Sequence, residues 1–234
     1  MPVRCFWTQR PENCVSVCLN TCDLPATCEL MNSRTQTLPQ ASDPRGDISR
    51  CRLCADRFSM TKTQHAPRPV VWFDQNPRIL IAGQAPGQRV HQSGKPFDDP
   101  SGDRLREWMG IDRPVFYDRS RVSIMPMAFC FPGYDAKGSD LPPPKVCAST
   151  WHERATRWMG APLVTFLVGG YAHKWHLGGN QSVTDRVADW RALAPQTFIL
   201  PHPSWRNTGW IKRNPWFETD VLPEVRAAVR KALA

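Results

Sequence analysis

No segment of this 234-residue sequence is apolar for long enough to cross a membrane. The N-terminus also lacks the charged start followed by an apolar core that marks a secretory signal. The expected location is therefore the cytoplasm. Disulfides are disfavoured in that reducing compartment, so the 9 cysteines, an odd number, favour metal binding instead.

Acidic residues are scarce relative to basic ones, with 21 Asp and Glu against 30 Lys and Arg, and the formal net charge is +9. This excess favours a polyanionic partner, because neutralising phosphates releases counterions. The alternative is a charge that only keeps the protein in solution. The 10 tryptophans include candidates for stacking on exposed bases, although most are expected to pack in the core.

Residues 1–48 show no sustained helix or strand period. The spacing of Cys14, Cys18 and Cys22 leaves a metal site open, but the lack of apolar periodicity predicts a disordered extension. Residues 49–234 are long enough to bury a core and are predicted to form one domain.

Strand and helix signals alternate along this predicted domain. Short apolar runs predict strands at residues 78–83, 121–127, 164–169 and 197–200. Helices are predicted at residues 103–109, 146–159, 184–193 and 220–233. The alternation predicts a three-layer α/β/α fold with a central four-stranded parallel sheet. Ligands of such folds bind at the carboxyl ends of the strands, where Gln84 and His202 are both expected.

The first candidate site motif is Gly83-Gln84-Ala85-Pro86-Gly87, directly after the first predicted strand. Its glycines allow a tight turn and close backbone approach, and its proline stiffens the turn. Gln84 cannot ionise, but its amide can orient a water molecule. Further along, Phe97 lies in a polar, proline-containing loop, and Ser101 precedes a helix whose first amides suit a phosphate.

The second candidate motif is Pro201-His202-Pro203-Ser204-Trp205-Arg206-Asn207, after the last predicted strand. A neutral imidazole in this turn can donate a hydrogen bond to a base carbonyl. The two motifs together, in this order and strand context, resemble the uracil-DNA glycosylase superfamily from about Cys51 to the C-terminus.

The resemblance implies an enzyme that hydrolyses the N-glycosidic bond of uracil or another deaminated base in DNA. Gln84 would position water, Phe97 would stack on the flipped base, and His202 would stabilise the leaving base. The other implied substrate-binding residues are Gly83, Ala85, Pro86 and Met127. The implied DNA-binding residues are Gly87, Ser101, Ser204, Trp205, Arg206 and Asn207, with Trp205 and Arg206 wedged into the duplex. A monomer is expected.

Four cysteines of the predicted domain form a candidate metal centre. Cys51 and Cys54 form a C-x2-C pair, and Cys130 and Cys147 lie far along the chain. Four soft thiolates suit an iron–sulfur cluster or a tetrahedral zinc, and the spacing alone does not decide between them. The iron–sulfur branch of the superfamily has its four cysteines in this arrangement. The resemblance therefore implies a [4Fe-4S] cluster, with zinc as the alternative.

The sequence departs from the superfamily pattern at the position where an Asn usually reads the uracil edge, because Pro126 stands there. We expect backbone groups near Met127 and Ala128 to read the base instead, and hypoxanthine or xanthine are further candidate substrates. Residues 131–145 contain no histidine, so no covalent complex with DNA is expected. One rival interpretation is a damaged-DNA-binding protein without catalysis. Another is a zinc-stabilised nucleic-acid-binding domain.

Overall fold

Four parallel strands form the central sheet of this protein, whose computed structural model describes residues 42–234. The strands are β1 (Ile79–Ala82), β2 (Val122–Ile124), β3 (Val164–Val168) and β4 (Thr197–Leu200), in the order β2-β1-β3-β4. Helices flank the sheet, so the predicted α/β class and the four-stranded parallel sheet are confirmed. Each strand lies within a predicted one and is at most a few residues shorter.

The two central strands owe their continuous apolar sequences to burial on both faces. Ile79 of β1 lies opposite Val122 of β2 on one side and Val164 of β3 on the other. Every residue of β1 is buried. All pairs are parallel, so the carboxyl ends of all four strands lie at one edge of the sheet.

Ten α-helices occur in residues 42–234. They are α1 (Arg45–Ser49), α2 (Ala55–Ser59), α3 (Gln88–Ser93), α4 (Pro100–Met109), α5 (Arg113–Phe116), α6 (Lys145–Met159), α7 (Gly170–Leu177), α8 (Val183–Ala188), α9 (Thr208–Arg213) and α10 (Leu222–Leu233). Short 3-10 turns cover Trp190–Ala192 and Trp205–Asn207, and a π-helical turn, Phe217–Val221, leads into α10. No helix in this part of the chain is long and apolar enough to cross a membrane.

Side-chain alternation along β1 separates the core into two main layers. Ile79 and Ile81 pack with the layer that contains α4 and α10, whereas Leu80 packs with the layer that contains α6. The predicted helices all lie within these layers or beside them, because their apolar stripes face the sheet. The short helices α1, α2, α3, α5, α7 and α9 were not predicted, since one or two turns show no sustained period.

The predicted boundary between extension and domain, after residue 48, falls inside α1. Ile48 is fully buried and packs with Leu80 and Phe129. Arg154 of α6 also forms an ion pair of 2.6 Å with Asp47. Residues 42–48 are therefore part of the packed domain, and the rest of the predicted extension lies outside the described residues.

Two histidines of neighbouring helices lie close together, the buried His152 of α6 and the half-buried His176 of α7, with their ring centres 6.4 Å apart. The Nε2–H of His152 donates to the carbonyl oxygen of Pro126 at 2.9 Å. Burial lowers the pKa of His152 to about 4. Burial, together with the neighbouring His152 and His173, lowers the pKa of His176 to about 3.

Acidification should destabilise the protein through His152 and His176. Their pKa values in the folded protein are lowered, so the unfolded chain binds protons first as the pH falls below about 6.5. The contribution of these histidines to the free energy of unfolding is therefore fully present above that pH and decreases below it. The expected decrease is about 2 kcal/mol per histidine between pH 7 and pH 5. Urea unfolding at the two pH values measures this loss.

The control for this prediction is His152→Gln, which keeps an N–H donor for Pro126 but cannot titrate. We expect the variant to lose about half of the pH dependence that the two histidines cause. A pH dependence equal to that of the wild type would contradict the assignment.

Candidate active site

A cavity of about 700 Å³ opens at the carboxyl ends of the strands. Gln84 reaches it from the turn after β1, Phe97 from the loop before α4, Pro126 from the end of β2, and His202 from the turn after β4. Twelve of the predicted site residues line this one cavity: Gly83, Gln84, Ala85, Pro86, Gly87, Phe97, Ser101, His202, Ser204, Trp205, Arg206 and Asn207. Of the residues predicted to bind the substrate or DNA or to take part in catalysis, only Met127 does not line it.

The Gln84 side chain lies across the ends of β1 and β3. It rests on Gly169, the residue that follows β3, and a Cβ atom at that position would collide with the Gln84 amide nitrogen. Gly169 also has φ +85°, which disfavours any other residue. The absence of a side chain at Gly169 therefore creates the space that Gln84 occupies.

Phe97 is held in a backbone conformation that is uncommon for a residue with a side chain. Its φ is +52°, in the left-handed region. The hydroxyl of Tyr117 donates to the Phe97 carbonyl oxygen at 3.1 Å, and the buried Arg106 guanidinium donates to it at 3.4 Å. A Cβ atom on Gly102 would lie 1.8 Å from that oxygen. These contacts hold the half-buried phenyl ring against Gly83 at the cavity wall.

The environment of His202 selects one tautomer. The backbone N–H of Ser204 donates to Nδ1 at 3.2 Å, so a neutral ring carries its proton on Nε2. Burial lowers the pKa of His202, Asp99 opposes that shift, and Arg206 adds to it. The ring is therefore neutral near pH 7, with an Nε2–H donor.

The turn that carries His202 is fixed from two directions. The Asn207 amide donates to the His202 carbonyl oxygen at 2.7 Å. Arg104 of α4 donates to the Ser204 carbonyl oxygen at 3.0 Å and to the Thr208 hydroxyl at 3.2 Å. Asn207 was predicted as a DNA contact, and in this structure its amide nitrogen stabilises the turn itself.

Trp205 and Arg206 project from this turn. The Trp205 side chain is 74% exposed, although large aromatic side chains usually bury most of their surface. The guanidinium carbon of Arg206 lies 5.6 Å from the centre of the Trp205 ring. An exposed apolar ring next to a cation at the rim of a cavity is the arrangement expected of a duplex wedge.

The backbone N–H groups of Met127 and Ala128, which were expected to read a base, are engaged within the protein. The N–H of Met127 donates to the Gly83 carbonyl oxygen and that of Ala128 to the Gln84 carbonyl oxygen, both at 3.1 Å. The Met127 side chain is 4% exposed and packs with apolar neighbours, including Leu167. These groups extend the pairing between β1 and β2 and do not face the cavity.

The cavity also contains polar residues that the sequence interpretation missed, namely Asp99, Tyr134, Ser139 and Asp140. Asp99 caps α4, where its carboxylate accepts from the Gly102 N–H at 2.9 Å. The Asp-Pro-Ser-Gly pattern is a helix-start signal that could have identified it. Asp140 lies in an irregular loop, and no local sequence pattern distinguishes it from other loop aspartates.

The four predicted metal ligands line a second, small cavity. Cys51, Cys54, Cys130 and Cys147 meet there, surrounded by apolar side chains such as Phe58 and Trp151. Burial raises the pKa of Cys130 to about 12 and that of Cys147 to about 11, and neighbouring cysteines add to both shifts. Within residues 42–234, no group of three or more His, Cys, Asp or Glu side chains is spaced to hold a single metal ion.

A backbone N–H group points at a sulfur atom of this cysteine cavity. The N–H of Phe129 donates to Cys147 Sγ at 3.4 Å. The Arg68 backbone opposes the rise that burial causes in the pKa of Cys130. Hydrogen bonds to cluster sulfurs are a usual feature of iron–sulfur sites. Four soft donors, an amide hydrogen bond to one of them and an apolar surround suit such a group.

The chain matches a protein-family model. The model of the Uracil DNA glycosylase superfamily matches residues 70–226, more than half of the chain. This range contains the whole cavity described above, together with Cys130 and Cys147. The Cys51 and Cys54 pair precedes it.

Gly102→Ala should disrupt the Phe97 conformation. The new methyl group would overlap the Phe97 carbonyl oxygen, which is backbone and cannot rotate away. We expect a loss of about 2–4 kcal/mol in the free energy of unfolding, as for other overpacked or strained sites. Gly209→Ala is the control, since its Cβ would make only an ordinary contact in α9. Equal unfolding midpoints in urea for both variants would contradict this account.

Proposed function

We propose that this chain, which belongs to the Uracil DNA glycosylase superfamily, hydrolyses the N-glycosidic bond of uracil or another deaminated base in DNA. The observation that carries the proposal is the convergence of Gln84, Phe97 and the Nε2–H of a neutral His202 on one cavity. The net charge of +9 supports binding of the DNA backbone.

In the proposed reaction a base leaves the duplex and enters the cavity, where it stacks on the Phe97 ring. His202 donates its Nε2–H to a carbonyl oxygen of the base. As the bond between C1′ and the base nitrogen breaks, its electron pair moves onto the base, and this hydrogen bond stabilises the developing charge. A water molecule held by the Gln84 amide adds its oxygen to C1′. Its released proton goes to solvent or to the departing base, which leaves an abasic sugar.

The wedge role is proposed for Trp205 and Arg206. Flipping a base costs a few kcal/mol, and side chains inserted at the vacated position offset part of that cost. Their exposure at the cavity rim supports this role. Because His202 is neutral, Arg206 is the positively charged group of this turn that can attract a DNA phosphate.

For the cysteine cavity we propose a [4Fe-4S] cluster held by Cys51, Cys54, Cys130 and Cys147. The N–H group of Phe129 that donates to Cys147 Sγ supports this choice. The bound group would serve as a structural cross-link between the segment before β1 and the loop after β2. Zinc held by the same thiols is the alternative, although in residues 42–234 these thiols are not spaced to hold a single metal ion.

A damaged-DNA-binding protein without catalysis is the second candidate function. Gln84 has no ionisable group with which to activate water, and Pro126 has no side-chain donor. Both features favour recognition over turnover. The two functions differ in whether the base is released.

The catalytic proposal predicts unequal effects of two substitutions. His202→Ala should slow excision on the order of 10²-fold or more, the usual cost of losing one preorganised donor at a developing negative charge. Gln84→Ala should cost less, because an amide positions water but is a poor base. Gln84→Glu should raise the rate by restoring an ionisable group. The measurement is single-turnover excision of uracil, hypoxanthine and xanthine with saturating enzyme.

Unchanged unfolding midpoints for these variants would show that the effects arise in the site and not in the fold. If the wild type binds damaged DNA but releases no base from any of the three substrates, the binding function replaces the enzymatic one.

The cluster proposal predicts that Cys130→Ala loses iron and visible absorbance, and becomes less soluble, because ligand binding is coupled to folding. The control is Cys28→Ala, whose iron content should equal that of the wild type. Iron is measured per chain in protein purified without oxygen. Full iron content in Cys130→Ala would contradict the assignment, and stoichiometric zinc in the wild type would establish the alternative.

A further inference from the structure

The wall of the cavity at the end of β2 exposes no hydrogen-bonding side-chain group. The Pro126 carbonyl oxygen accepts from His152, which turns it into the protein. The N–H groups of the next two residues extend the strand pairing. Ile124 and Val70 add only apolar surface. The indole N–H of Trp72 is shielded from solvent and has no partner within residues 42–234. This wall can support a base but cannot read its edge.

Polar atoms reach the cavity instead from the loop of residues 131–145. An antiparallel bridge joins Tyr134 to Asp140, and the Leu141 N–H donates to the Gly133 carbonyl oxygen at 2.9 Å. The Asp135 carboxylate accepts from the Ser139 N–H at 2.9 Å and so closes the tip of the loop. Asp140 therefore lies on a hairpin that hydrogen bonds hold in place, and not on an unconstrained loop.

The Asp140 carboxylate has no hydrogen-bond or ion-pair partner among the described residues, although it lines the cavity. The residue is exposed. Desolvation by the surrounding protein raises the pKa of its carboxyl group, the nearby Asp99 adds to that shift, and Arg206 opposes it. A cavity-facing carboxyl group without a partner retains its full capacity to accept a hydrogen bond from a ligand.

We infer that Asp140 is the residue that reads the base edge, in place of the side chain that Pro126 lacks. Its oxygen accepts the ring N–H of a lactam, the group that uracil, hypoxanthine and xanthine share. Cytosine and adenine present a lone pair at the corresponding ring nitrogen, which a carboxylate repels. The inference rests on the proposed function, and it assigns discrimination between deaminated and normal bases to this loop.

The test compares Asp140→Ala, Asp140→Asn and a control, Asp189→Ala, in single-turnover excision of the base that the wild type releases fastest. Asp189 is an exposed carboxylate at the end of α8. Losing an acceptor for a substrate N–H should slow Asp140→Ala by about 10- to 100-fold. Asp140→Asn keeps a carbonyl oxygen and should recover most of the rate. Asp189→Ala should match the wild type.

Two results would overturn the inference while leaving the proposed function intact. One is an Asp140→Ala rate equal to that of Asp189→Ala. The other is equal slowing of the Ala and Asn variants, which would show that charge and not hydrogen-bond acceptance matters. Urea midpoints separate these effects from a loss of folding.

If the wild type releases no base at all, the proposed function fails and the same variants are compared by binding. The readout is then the dissociation constant for a duplex that contains cytosine at one position, divided by that for a duplex that contains uracil there. Asp140→Ala should reduce this ratio toward one if Asp140 reads the edge. An unreduced ratio would overturn the inference.

Discussion

Parallel pairing of β1 with β2 and β3 is the constraint on which the site depends. Because all four strands run the same way, each chain segment that follows a strand begins at the same edge of the sheet. The turn with Gln84, the loop after Pro126, Gly169 and the turn with His202 therefore meet, although they are far apart in the sequence. Reversing any one strand would move its loop to the opposite edge.

The site residues are positioned by groups that do not face the ligand. Glycines at positions 102 and 169 leave the space that the Phe97 carbonyl and the Gln84 side chain occupy. Asp99 connects two roles, since it caps α4 and its charge opposes the lowering of the His202 pKa by burial. Such positioning is typical of sites that keep donors in place before the substrate arrives.

Much of the fold could be predicted because the relevant signals are local. The apolar runs of the strands and the stripe of α10 appear within a few consecutive residues, and both were located to within a few residues. The short helices could not be predicted, because their stability comes from packing and not from a period. The boundary placed after residue 48 missed Ile48, whose burial depends on residues about 30 to 80 positions away.

The sequence by itself determined which chemical groups the protein can use: an amide at Gln84, an imidazole at His202, four thiols and an exposed aromatic–cation pair. It also determined the sheet that brings strand ends together. Only the tertiary structure decided what state those groups adopt. The His202 tautomer depends on a backbone N–H of its own turn, and the Pro126 carbonyl is engaged by His152 from another element. Asp140 faces the cavity because a hairpin holds it there. Hydrogen-bond partners and burial arise from three-dimensional contacts, so no local pattern of residues encodes them.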